Sequence, residues 1–84
     1  MAKQQWRVVV LLRTDEALDD GQKLEKALRR SSDGSGFGFG ERDMDWYFKT
    51  KRGAQSFGIR ALAALKKIVK KEKDYTVYSE AVEE

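Results

Sequence analysis

Between Trp6 and Arg13 the chain reads WRVVVLLR, with five aliphatic residues in succession from Val8 to Leu12. A run this short and this rich in valine is too brief for a helix of ordinary length and fits a buried strand. Such a strand belongs in the middle of a sheet, so the remaining elements have to be arranged around it. With 84 residues there is room for one hydrophobic core, because a second would need roughly twice this length. A single domain over residues 1–84 is expected.

The segments on either side of that strand change period several times. Thr14 and Asp15 can accept hydrogen bonds from the free N–H groups of a first helical turn, and Glu16, Asp19 and Asp20 complement its positive end. Ala17, Gly21, Leu24, Ala27 and Leu28 then recur at spacings of three and four, which predicts a helix up to Arg30. The tract Ser31-Ser32-Asp33-Gly34 ends it. From Ser35 the period becomes two: Phe37 and Phe39 alternate with glycines, and Met44, Trp46 and Phe48 alternate with polar residues. One strand from Ser35 to Thr50 would be far longer than the usual five or six residues, so a hairpin with its turn near Glu41 to Asp43 is expected. Ala54 to Lys71 carries Phe57, Ala61, Leu65 and Ile68 at helical spacing, flanked by Gly58, Leu62, Ala64 and Val69, and predicts a second helix. Asp74 to Ser79, DYTVYS, reads as a last short strand, followed by an acidic tail from Glu80 to Glu84 that is expected to fray.

The order β, α, β, β, α, β with right-handed crossovers gives one arrangement: a four-stranded antiparallel sheet with two helices on one face. This is the ferredoxin-like α+β two-layer sandwich, with the first and third strands central and the second and fourth at the edges. One face of its sheet is left bare. If Val8, Val10 and Leu12 join Met44, Trp46 and Phe48 beneath the helices, alternation sends Arg7, Val9, Leu11 and Tyr47 to the open side. The opposite register would bury Asp45 and Lys49 unpaired, at a cost of several kcal/mol. On the second strand Phe37 and Phe39 then face the core, and Gly36, Gly38 and Gly40 face out.

An open face carrying Val9, Leu11, Tyr47 and Tyr78 is too apolar for water alone, and those four residues are the expected interface candidates. Association with a second copy, sheet on sheet or edge to edge, would cover them; another protein could do the same. The plain alternative is a sheet with a few exposed hydrophobes, which needs no explanation.

Catalytic chemistry has little to work with. The chain contains no cysteine and no histidine, which removes thiolate nucleophiles, the Cys-type zinc sites and the commonest acid/base and metal ligand. Glu41, Asp43 and Asp45 fall on alternate positions and, with Asp15, could hold Mg²⁺ through carboxylate oxygens, but no phosphate-cradling loop accompanies them. Hairpin solubility and helix capping are the ordinary roles of these acids. No enzyme activity, cofactor or metal is expected, and with no apolar run near the roughly 20 residues that span a bilayer a cytoplasmic, non-membrane address is the expectation.

Two features point instead to nucleic acid. Gly36-Phe37-Gly38-Phe39 resembles the core of the RNP1 signature of RNA-recognition motifs, whose aromatic residues stack on bases and whose strand and helix order is the same. The resemblance covers four residues and implies single-stranded RNA binding through Phe37 and Phe39. Ser35 stands where that family has Lys or Arg, Gly40 where it has an aliphatic residue, and the motif falls on the second strand instead of the third. Separately, Lys51 to Lys73 holds eight Lys or Arg against one acid, a local net of +7, while the rest of the chain sums to −4. Arg60, Lys66, Lys67, Lys70 and Lys71 could neutralise phosphates in a salt-sensitive, sequence-blind manner. A solvated helix face with lysines near its C-terminus is the structural alternative. The sequence therefore predicts a small non-catalytic binding or regulatory module, self-associating through the open face or an edge of its sheet, with nucleic-acid binding as the second reading.

Overall fold

A computed structural model describes residues 4–83 with the exception of Phe39. The elements are β1 (Gln4–Leu12), α1 (Ala17–Leu28), β2 (Gly34–Gly38), β3 (Glu41–Phe48), α2 (Lys51–Ile68), a 3-10 turn (Glu72–Asp74) and β4 (Tyr75–Glu83). The strands form one antiparallel sheet in the order β2-β3-β1-β4. The valine-rich β1 lies inside it, and both helices pack on the same face, so the fold is the ferredoxin-like α+β sandwich. No described helix is long and apolar enough to cross a membrane.

Register fixes which side chains meet beneath the helices. Val8 lies opposite Trp46 and Val10 opposite Met44, and together with Leu12 these residues are sealed under Leu24 and Leu28 of α1 and Ala54, Phe57, Ala61 and Leu65 of α2. Trp46 and Phe48 meet the Phe57 ring at centroid distances of 5.1 and 5.0 Å in tilted geometry, the arrangement favoured by aromatic quadrupoles. The one polar atom of Trp46 is satisfied: its Nε1 donates to the Arg30 carbonyl at 3.2 Å. Parity on β3 is therefore as the alternation of Met44, Trp46 and Phe48 predicts.

Element ends differ from the sequence reading for identifiable reasons. The chain reverses at Gly40, whose φ of +76° suits glycine, so β3 starts at Glu41 and the Glu41–Asp43 segment is strand, not turn. Helix α2 starts at Lys51 because the Thr50 hydroxyl accepts the Gly53 N–H at 3.0 Å. Neither Thr14 nor Asp15 caps α1; the cap position falls to Glu16 without a side-chain bond, and the Thr14 hydroxyl donates to the Asp20 carboxylate at 2.7 Å. Strand β4 continues past Ser79 and pairs with β1 as far as Gln4↔Glu83.

Phe37 requires a correction. It lies opposite Arg42, on the helix side of the sheet, yet it is 58% exposed. The helices pack mainly over β1, β3 and β4, and β2 at the edge receives little of their cover, so orientation toward the core does not bring burial. Phe39, expected beside it, lies outside the described residues. Arg42 is the converse case, a charged residue that the pattern placed in a turn and the fold buries at 9% exposure. Its Nη1 donates to the Leu18 carbonyl at 2.7 Å, and its other terminal nitrogen is 3.8 Å from Glu25. A methyl group at Gly21 would lie 2.5 Å from Arg42 Nη1. Close passage of this guanidinium explains a glycine inside α1, where it costs about 1 kcal/mol relative to alanine.

Candidate interaction surfaces

The open face of the sheet is built in rows. Arg7 stands between Tyr47 and Glu80, Val9 between Asp45 and Tyr78, and Leu11 between Asp43 and Thr76. The Arg7 guanidinium bonds the Glu80 carboxylate and lies 3.6 Å from Asp45. Burial disfavours its charge, but hydrogen bonds and charge from Glu80 and Tyr47 outweigh that and hold Arg7 above its ordinary value. Arg13 similarly lies 3.6 Å from Glu41 and donates to Thr76 Oγ1 at 2.9 Å.

This polar lattice changes the standing of two interface candidates. Val9 is only 5% exposed and Leu11 is half-buried, closed over by their own cross-strand neighbours. Tyr47 and Tyr78 are exposed. The glycine strip of β2 is also occupied from within: a methyl at Gly36 would lie 2.7 Å from Asp43 Oδ1, and one at Gly34 would lie 2.7 Å from Asp45 Oδ1. These glycines give room to carboxylates of the neighbouring strand. Between Val9, Tyr78 and the glycine strip a shallow hollow of about 330 Å³ remains.

The edge of β4 presents a different surface. The Arg13 N–H donates to the Asp74 carbonyl at 2.8 Å, across from it in the register that sets Leu12 opposite Tyr75. Alternation along an antiparallel ladder then turns the N–H and C=O groups of Thr76, Tyr78 and Glu80 toward β1, and those of Val77, Ser79 and Ala81 outward. The outward row carries no proline, and β4 is nine residues long, so two common protections of an edge, brevity and a missing donor, are lacking. Alongside runs a groove of about 380 Å³ between α2 and β4, lined by Gly58, Ile59 and Leu62 on the helix and Val77 and Tyr78 on the strand. Ile59 is 71% exposed and Tyr78 42%. Sequence reasoning found Tyr78 and missed Ile59, which stands off the apolar stripe of α2; its spacing of three from Leu62, one helical turn on, was the available signal.

The cations of α2 lie on the outer surface of the helix layer. Arg60, Lys66 and Lys67 are exposed there, and Lys70 and Lys71 lie in the segment leading to β4. Arg60 bonds the Leu28 carbonyl at 3.3 Å. Phe37 sits on β2 at the opposite border of the molecule's sheet, so the structure does not bring the aromatic and basic nucleic-acid candidates onto one strand or helix. Of the carboxylates considered for a metal, Glu41 and Asp45 face arginines and Asp43 covers Gly36. Glu16, Asp19 and Asp20 instead come within 4.8 Å of one another at the start of α1, where the helix dipole favours acids. Comparison with protein-family models and with curated proteins finds no match for this chain.

Proposed function

We propose that the protein is a non-catalytic module that associates with a second copy of itself along the edge of β4, with the α2–β4 groove receiving part of the partner. The observation that carries this reading is the coincidence of a nine-residue edge without proline with the exposed apolar residues Ile59 and Leu62 beside it. Joining two edges satisfies the outward backbone groups of both.

Charge favours an isologous, antiparallel pairing. A two-fold axis near Ser79 sets Val77 of one copy opposite Ala81 of the other, so the acidic end of each strand lies beside the start of its neighbour. That start is preceded by Lys70, Lys71 and Lys73 interleaved with Glu72 and Asp74, a net of +1, and the end carries Glu80 and Glu83. A parallel or head-to-tail arrangement of β4 loses this match.

Solution mass by sedimentation tests the proposal. Wild-type protein is expected to be a dimer that dissociates on dilution, and Ser79→Pro, which removes an outward donor and no bond to β1, is expected to remain monomeric. Leu11→Lys, on the closed open face, should leave the mass unchanged. A monomeric wild type at every concentration overturns the proposal, and loss of the dimer in Leu11→Lys but not Ser79→Pro moves the interface to the face of the sheet.

A further inference from the structure

The other edge of the sheet, β2, differs from β4 in what its side chains leave uncovered. The Asp45 carbonyl accepts the Asp33 N–H at 2.8 Å, so alternation turns the backbone groups of Asp45 and Asp43 toward β2. Register sets Gly34 and Gly36 opposite them. The backbone groups of these glycines therefore face β3, and those of Ser35 and Phe37 face outward, with no strand beyond. On the open side of the sheet the edge is bare, since Gly34, Gly36 and Gly38 all fall there. On the helix side stand Ser35 and Phe37, both exposed.

Acids of β3 reach across this bare strip toward the edge. Asp43 Oδ1 lies 2.7 Å from the point that a Cβ on Gly36 would occupy, and Asp45 Oδ1 lies 2.7 Å from the same point on Gly34. Asp45 is shared with Arg7 at 3.6 Å. Asp43 is exposed and has no ion-pair partner among the described residues. Glycine weakens a strand interior and often marks the close approach of a neighbour. An exposed carboxylate can rotate into water, so room for the acid alone does not account for the glycine.

We infer that β2 is extended by a strand of a different protein, whose lysine or arginine side chains cross the glycine strip to the carboxylates of β3. Directly opposed residues of an antiparallel pair hold their Cβ atoms about 5 Å apart. A side chain facing Gly36 has to span that interval before it meets Asp43, which suits the long stems of lysine and arginine and leaves serine or threonine short. The residues before and after it point to the helix side, where one of them covers Phe37, 58% exposed. The ligand thus alternates cationic and apolar residues, in the manner of strand addition to a sheet edge. A second copy of this chain does not supply that pattern. Its β4 offers Thr76, Tyr78 and Glu80 on one side and Val77, Ser79 and Ala81 on the other, and its β2 carries no cation. The same carboxylates repel acidic strands and nucleic acid. The site needs one copy of the chain and does not depend on pairing of β4.

Fluorescence anisotropy with a labelled seven-residue peptide of alternating valine and lysine tests the inference, with alternating valine and glutamate as the control. The lysine peptide is expected to bind, less tightly as salt rises, and the glutamate peptide about tenfold more weakly. Asp43→Asn should weaken the lysine peptide about two- to fivefold. Ser35→Pro removes an outward donor and no bond to β3, and should weaken it about tenfold. Gly36→Thr fills the strip. Because the new side chain meets only the mobile end of Asp43, thermal unfolding should show this variant at least as stable as the parent, while lysine-peptide binding is lost, which separates lost binding from lost folding. Absence of lysine-peptide binding at low salt, equal affinity for the two peptides, or unchanged binding in both Gly36→Thr and Ser35→Pro would each overturn it.

Discussion

The two faces of the central strand pair keep water out by different means. On the covered face, Val8, Val10 and Leu12 meet Met44 and Trp46 beneath two helices, and exclusion comes from apolar volume packed at close range. On the open face, Val9 is almost as deeply buried, yet nothing lies above it except its own row and the rows beside it. Asp45 and Tyr78 flank it in register, and Arg7 ties the next row together through Glu80 and Asp45. A charged lattice thus shelters a small apolar centre that a third layer would otherwise have to cover. Burial of Val9 is therefore no sign of a partner, and the exposed apolar surface that does call for one lies at the edge of the sheet.

Three substitutions probe the contrast. The largest effect should come from Trp46→Ala, which empties the covered core and is expected to cost about 3–5 kcal/mol in urea unfolding; a loss under 1 kcal/mol would mean that the helices collapse onto the sheet far more readily than packed layers do. Val9→Ala removes two methyl groups from the open face and should cost about 1.5 kcal/mol, with little added cavity penalty because the covering side chains can settle. A cost equal to that of Trp46→Ala would show the lattice to be as rigid as the core. The smallest change is expected for Arg7→Met, about 0.2–1 kcal/mol as for other partly exposed ion pairs, and smaller still in 1 M salt. If that loss does not respond to salt, packing of the arginine stem, and not its charge, shelters Val9.

Much of the fold was legible because its signals are local. Asp45 and Lys49 between large apolar residues set the parity of β3, the valine run set β1 at the centre, and the stripe through Phe57, Ala61 and Leu65 set the face of α2. What escaped depended on contacts distant in sequence. Gly36, Gly38 and Gly40 look alike in the chain, and only the pairing of β2 with β3 selects Gly40 as the turn. Arg42 reads as a loop residue until Leu18, Gly21 and Glu25 are brought around it. The segment beyond Ser79 reads as an acidic tail until the start of β1 supplies its ladder. Of the candidate surfaces, Tyr78 and the lysines of α2 were visible in the sequence. The outward phase of β4 was not, since it is set by a bond between Arg13 and Asp74, and Phe37 was read correctly for direction but wrongly for burial, because a two-residue period carries no information about how far a helix extends sideways.

The place of β1 has a consequence for how the molecule is made. Its two neighbours come later in the chain, and Arg7 and Glu80, bonded across the finished sheet, are 73 residues apart. The β2–β3 hairpin closes over a short loop and can form early, whereas the most apolar strand must wait for the last one before its second side is paired. During synthesis that strand is an available template for any extended segment nearby, and the interval between its emergence from the ribosome and the arrival of β4 is when this protein is most exposed to misassembly.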